Sequence, residues 1–135
     1  MSKFITEEMM PALQGVIPAV IGTCSADGIP NVTYISQVYY VNEQQVALSR
    51  QFFNKTVRNI AENPAVQVVL TCPVTYFIYK LLLQFRESQN SGPVFDEMAL
   101  QLEVIAGVQG KHGTFHLLAA DIYDILDINR IDPVA

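Results

Sequence analysis

Between residues 16 and 50 the connections are too short for anything but hairpins. VIPAVIGTCS (16–25), NVTYISQVYYV (31–41) and VALSR (46–50) are rich in β-branched and aromatic residues. Only SADGIP and NEQQ separate them. Parallel neighbours need a crossover of roughly a dozen residues, so these segments run antiparallel, as a meander. Asp27-Gly28 inside the first connection is a tight-turn signal.

Residues 5–14 read as a short opening helix, with Thr6 as cap and Glu7 and Glu8 at its positive end. Pro11 makes that helix either short or kinked. QFFNKTVRNIAEN (51–63) breaks the strand pattern. Asn54 is a good N-cap, Val57, Ile60 and Ala61 share one helical face, and Asn63-Pro64 stops the helix. AVQVVLTCP (65–73) is a strand. TYFIYKLLLQFRESQ (75–89) has no clean alternation, which suits a long strand buried on both faces or one crossing from barrel to dimer interface. SGPVFDEMALQLEVIAGVQG (91–110) is the clearest helix, with Ser91 as cap, Pro93 in the first turn and Gly107 and Gly110 ending it. Its apolar stripe is Val94, Phe95, Met98, Leu102, Ile105 and Ala106. TFHLLAADIYDILDI (114–128) is a last strand.

The expected fold is therefore mainly β with short helices: one domain over residues 1–135, with six antiparallel strands closed into a barrel that leaves no exposed edge. A chain of 135 residues needs no disulfide to fold. Cys24 and Cys72 lie inside apolar runs, which points to free buried thiols in a reducing cytoplasm. MSKFITEEMM lacks an apolar core of signal-peptide length, and Lys80 interrupts the most apolar stretch. With half its residues apolar and 16% charged, the chain is poor in charge, as expected if a second copy covers part of its surface.

The net charge of −5 disfavours nucleic acid and anionic membranes as partners. The cations are unevenly spread, however. Arg50, Lys55 and Arg58 fall within nine residues, and no acid lies between Glu43 and Glu62. Such an island suits a small anion. Lys55 and Thr56 fall in the first turn of the expected helix, where free amides and the helix dipole favour a phosphate. Arg58 or Arg50 offers a second cation. From the residues alone, a solvated helix start with its cations in water is the commoner arrangement.

Three stretches go further. GVIPAVIGTCSADGIPNVTYISQVYYV (15–41) carries an apolar strand, a DGxPN turn and a second strand. VALSRQFFNKTVRNIAENP (46–64) carries S-x-Q-F-F-x-K-T-x-x-N. SGPVFDEM (91–98) with AADIYDIL (119–126) forms the third. In these the chain resembles the pyridoxamine 5′-phosphate oxidase-related family of FMN-binding split barrels. The resemblance implies a six-stranded split barrel that dimerises and holds FMN in grooves between subunits. It places Lys55 and Thr56 on the phosphate, with Arg58 or Asn59 close by. It places Val32, Thr33 and Ser36, on the strand Asn31–Gln37, along the isoalloxazine ring, and Ser49, Arg50 and Gln51 between ring and phosphate. It implies an FMN-dependent oxidoreductase acting on a small molecule; a non-enzymatic flavin carrier or redox sensor would use the same site. The sequence does not separate FMN from a deazaflavin or haem on this fold. The apolar stretch VLTCPVTYFIYKLLLQF (69–85) departs from the more polar hairpin expected of the family, and suits a dimer seam.

No catalytic residue is identified. His112 and His116, four apart, are flanked by glycines that argue against a shared helical face, and two histidines alone hold zinc weakly. No Ser-His-Asp set, Walker motif or paired-carboxylate cleft is recognisable.

Overall fold

The β1–β2 turn forms where Asp27-Gly28 places it. Gly28 adopts φ +82°, the left-handed region that a side chain would strain. Its N–H donates to the Ser25 carbonyl at 3.0 Å, and Ser25 N–H donates to the Ile29 carbonyl at 3.0 Å. In this computed structural model, residues 4–35, 37–50, 54–108 and 117–133 are described, with the backbone alone at 54, 55, 105, 106 and 108. The turn joins β1 (Ala19–Cys24) to β2 (Pro30–Ile35), paired antiparallel from Ala19↔Ile35 to Cys24↔Pro30.

The run 31–41 is two strands, not one. After Ile35 the chain leaves β1 and, from Val38, pairs with another partner. β3 (Val38–Asn42) lies against β4 (Gln45–Arg50), with Val38 opposite Leu48. The described residues therefore hold seven strands where six were expected. The others are β5 (Ala65–Thr71), β6 (Ile78–Gln89) and β7 (Ala119–Ile131). The sheet order is β2-β1-β5-β6-β7-β4-β3, with every pairing antiparallel. Its two edges, β2 and β3, are consecutive in the chain. Three residue steps from Ile35 to Val38 span at most about 11 Å, so the sheet has to curl until its edges nearly meet. This is the split barrel, and its seam runs past residues 35–38. There the Ser49 N–H reaches the Gln37 carbonyl at 3.4 Å.

Inward-facing residues fill the barrel: Ile21, Ile35, Val46, Leu48, Val66, Val68, Leu70, Leu81, Leu83 and Tyr123 are all buried. β6 alternates through its first half, which rules out one of the two readings of 75–89, the strand buried on both faces. Tyr79, Leu81 and Leu83 point inward, whereas Leu82 is 41% exposed on the outer face. The two bulges in β6–β7, at Leu82/Leu83 and Phe85/Glu87, tighten the bend there.

The helices cover three positions. A 3₁₀ helix, Glu7–Gln14, packs Met9 and Ala12 onto the core; Pro11 sits inside it. α1 (Asn54–Glu62) follows β4 and ends just before Asn63-Pro64. α2 (Pro93–Val108) begins on its proline, preceded by Gly92, and continues through Gly107. Met98 of α2 packs with Ala47, Ala120 and Ile122 on the outer face of β4 and β7. The small side chains of Ala47 and Ala120 are what let the helix approach. Cys72 is buried, Cys24 half-buried, and both are free. Among the described residues, no helix is long and apolar enough to cross a membrane.

Candidate functional site

α1 is fixed to the β1–β2 hairpin by side chains rather than by apolar contact alone. Asn59 Nδ2 donates to Thr23 Oγ1 at 3.1 Å, a buried bond. Asn31 Nδ2 donates to Thr56 Oγ1 at 3.2 Å. At the far end of the helix, Glu62 Oε2 accepts from the Ala26 N–H at 3.2 Å. Thr56, Asn59 and Ile60 are buried, while Arg58 is exposed. These bonds set the helix over the end of the barrel where β1 and β2 turn, with its amide-rich first turn beside Asn31. Thr56 accepts from Asn31 and so keeps its hydroxyl proton for another acceptor. The asparagine at position 59 reads in the sequence as a ligand-side residue; in the fold its amide nitrogen is engaged by Thr23. Lys55 lies in the first turn of α1, and its side chain is outside the described ones.

β2 presents two faces. Asn31, Thr33 and Ile35 turn toward the barrel, Thr33 half-buried opposite Ile21. Val32 and Tyr34 turn outward and are 68% and 73% exposed. Val32 and Thr33 therefore lie on opposite sides of the strand. Around them the outer face of β1, β5 and β6 adds Val20, Val69 and Leu82, giving an apolar surface interrupted by Gln67 and Lys80.

The seam brings in the end of β4. Ser49 is fully buried beside Gln37. Arg50 turns into an ion pair: its Nε donates to Asp121 Oδ2 at 2.9 Å, and Ser88 Oγ donates to Asp121 Oδ1 at 2.6 Å. Asp121 is 2% exposed, so this pair holds the guanidinium in one direction and neutralises much of its charge. Next to Asp121, burial pushes the Tyr123 phenol far above its ordinary range, with the carboxylate adding to the shift. Of the cation island, Arg50 is thus tied down, whereas Arg58 faces solvent. Ser36 and Gln51 lie outside the described residues, as do His112 and His116. Among the described residues no group of three or more metal-ligating side chains occurs.

Gln37 and Asp121 were not singled out in the sequence. Gln37 Nε2 donates to the Met98 carbonyl at 3.3 Å and to Gln101 Oε1 at 3.1 Å. Its Oε1 is buried with no partner. The Met98 carbonyl can only accept, so the amide cannot flip to relieve this; the seam contains an acceptor that calls for a donor. Beside it, Met10, Leu13, Val38, Tyr39, Tyr40 and Gln101 line a half-open pocket of about 270 Å³. A polar glutamine within an apolar β-rich run was the available signal for Gln37; nothing local marks Asp121 as the partner of Arg50.

Comparison with known proteins places these features in a family. The family model for pyridoxamine 5′-phosphate oxidase matches residues 5–98, more than half of the chain. An uncharacterized protein of Methanocaldococcus jannaschii is 39% identical over 64 residues, which is 46% of this chain and 42% of that protein. The chain thus spans less than half the length of that relative. Among solved structures, an FMN-binding protein from Syntrophomonas wolfei aligns with a TM-score of 0.77 at 15% identity, over 95% of this chain and 87% of its own. HupZ of Group A Streptococcus aligns with a TM-score of 0.70 at 20% identity, over 95% and 94%. At these identities the two structures speak for the fold alone.

Proposed function

Because the chain belongs to the pyridoxamine 5′-phosphate oxidase family, we propose that it is a flavoprotein that holds FMN along the barrel seam and serves a small-molecule oxidoreductase reaction. The observation that carries this reading is the orphaned Oε1 of Gln37, buried at the seam where uncharged hydrogen-bonding groups gather. The isoalloxazine system offers a single ring N–H among several acceptors, which is the partner such an oxygen lacks. Thr33 and Ser49 supply further uncharged groups, and α1 supplies a phosphate-favouring end. The residues present fit the cofactor.

In this reading the first-turn amides of α1, Lys55 and Thr56 would hold the phosphate, with Arg58 adding charge from the rim. Asn59, through Thr23, and Asn31 hold the helix against β1 and β2. Asp121 fixes Arg50 through its Nε. The flavin, when bound, supplies hydride or electron transfer. The protein excludes water from one side of the ring and leaves the other to substrate.

A second copy of the chain completes the groove. Support comes from the outward face of β2, where Val32 and Tyr34 stand exposed beside Val20, Val69 and Leu82. Val32, turned away from the barrel, would then meet the cofactor held by the opposing subunit.

The visible absorption spectrum of the purified protein, before and after incubation with FMN, tests the cofactor. A bound flavin spectrum is expected. A colourless protein that takes up no FMN contradicts the proposal, and a Soret band would replace it with haem. Anaerobic reduction by nicotinamide nucleotides, followed by electron acceptors, then separates an enzyme from a carrier or sensor using the same site: turnover identifies the first, stoichiometric reduction the second.

A further inference from the structure

We propose that two copies of the chain join through the outward face of the sheet, and that a reciprocal ion pair between Lys80 and Asp127 of the partner subunit fixes how they fit. This deepens the reading that a second copy completes the flavin groove, and rests on it.

Strand pairing lays this face out in two neighbouring rows. One runs through Tyr34, Val20, Val69, Lys80 and Asn129, from β2 to β7. The next runs through Val32, Gly22, Gln67, Leu82 and Asp127. Lys80 stands between the buried Tyr79 and Leu81, so it points outward. Asp127 lies opposite the exposed Leu82 and shares its side of the sheet. Lys80 and Asp127 are the two charges of these rows, and most of what surrounds them is apolar.

Neither charge is met within the chain. They sit one diagonal apart on neighbouring strands, a spacing of roughly 7–8 Å in a sheet. Yet among the described residues neither side chain takes part in an ion pair or hydrogen bond. The other aspartates on or just after β7 behave differently. Asp121 holds Arg50, Asp124 holds Arg86 and Asp132 holds Arg130. Asp127 is the one left to water, on the same face as an equally unmatched lysine.

Water satisfies both groups while the face is open. Covered by an apolar partner, each would lose that water, at a cost that an opposite charge has to offset. A twofold axis supplies the opposite charge. In an isologous contact every interaction occurs twice, so Lys80 meeting the partner's Asp127 entails Asp127 meeting the partner's Lys80. Two unlike charges side by side are complementary to their own copy, whereas two like charges would repel it. The valines and Leu82 supply the apolar burial, and the charge pairs select one orientation of the two sheets.

Sedimentation of the full chain over a concentration series tests this without any flavin. Wild type should dimerise. Lys80→Glu and Asp127→Lys each place like charges in contact twice, and each alone should weaken the dimer by at least about 100-fold. An equimolar mixture of the two variants should dimerise again, because both contacts between unlike chains then join opposite charges. Pairing within one chain would give no such recovery. Circular dichroism checks that each variant folds; should either reversal fail to, Lys80→Gln and Asp127→Asn replace them, and their mixture should associate more tightly than each alone. The inference is overturned by a monomeric wild type, by single variants that dimerise as wild type does, or by a mixture that associates no better than its components. Cofactor binding is read separately, from the spectrum with FMN: a protein that takes up no FMN but shows the charge recovery would sink the flavin reading and leave this pairing standing.

Discussion

The two ends of this barrel solve the same problem with different chemistry. At the end closed by the 3₁₀ helix, Met9, Ala12, Ile5 and Ile128 meet across an apolar contact, and Tyr79 brings the one unpaired polar group. At the end covered by α1 and at the seam, the buried groups are Thr23, Thr56, Asn59, Gln37, Ser49 and Asp121. Almost every buried polar side chain of the described chain lies there, and apart from the Gln37 oxygen they are engaged in hydrogen bonds or ion pairs. Burying polar groups offers little stability over an apolar core, because each bond only replaces one made to water. Their concentration at one end is therefore better explained by recognition than by folding. The apolar end secures the barrel; the polar end holds α1 and the seam in one geometry.

That contrast can be broken by mutation, beginning with the largest effect. Met9→Ala at the apolar end should cost about 3 kcal/mol of unfolding free energy by denaturant titration, through lost burial and a residual cavity. It should leave FMN affinity of the folded fraction unchanged. Asp121→Ala at the seam should cost about 2–3 kcal/mol, because Arg50 and Ser88 lose their shared acceptor; Arg50 is part-exposed, so the loss falls short of a fully buried pair. Unlike Met9→Ala, it should also weaken FMN. Asn59→Ala should cost about 1 kcal/mol and weaken FMN as well, by loosening α1 from Thr23. If Met9→Ala and Asn59→Ala reduce FMN affinity equally, the division between a securing end and a recognising end is wrong.

The smallest effect sharpens the comparison from outside both ends. Asp124 is held below the ordinary carboxylate range, first by the Gln45 amide and then by Arg86. A depressed carboxyl contributes stability above its unfolded pKa and loses it as the pH falls through the folded one. The stability gap between wild type and Asp124→Asn should therefore be present at neutral pH and vanish on acidification below the usual range for aspartate. Since the pair is partly exposed, the gap should be at most about 0.5 kcal/mol, read from parallel denaturation curves at several pH values.

Much of this was legible in the sequence where the signal is local. The Asp27-Gly28 turn, the Asn63-Pro64 stop after α1 and the proline opening α2 all mark boundaries that neighbouring residues enforce. The split of residues 31–41 into two strands was not legible, because β-propensity is the same on either side of Gln37. What changes there is the pairing partner, from β1 to β4, and that depends on the curl of the whole sheet. β6 hid its alternation because its outward face carries Leu82 where solvent would favour a polar residue. At the site, the K-T-x-x-N stretch was visible as a motif, but the partners that set it in place were not. Asn59 finds Thr23 across 36 residues, and Arg50 finds Asp121 across 71. Those pairings follow from register, and no spacing along the chain encodes them.

The central claim is that the first turn of α1 receives the phosphate of FMN, with Lys55 as its principal charge. Titrating FMN into wild type and Lys55→Ala, read by quenching of flavin fluorescence, tests it most directly. The account predicts an intact fold and an affinity lower by about ten- to 150-fold in the variant, the worth of one charge-assisted contact of about 1.5–3 kcal/mol. Equal affinity in the two proteins would contradict it.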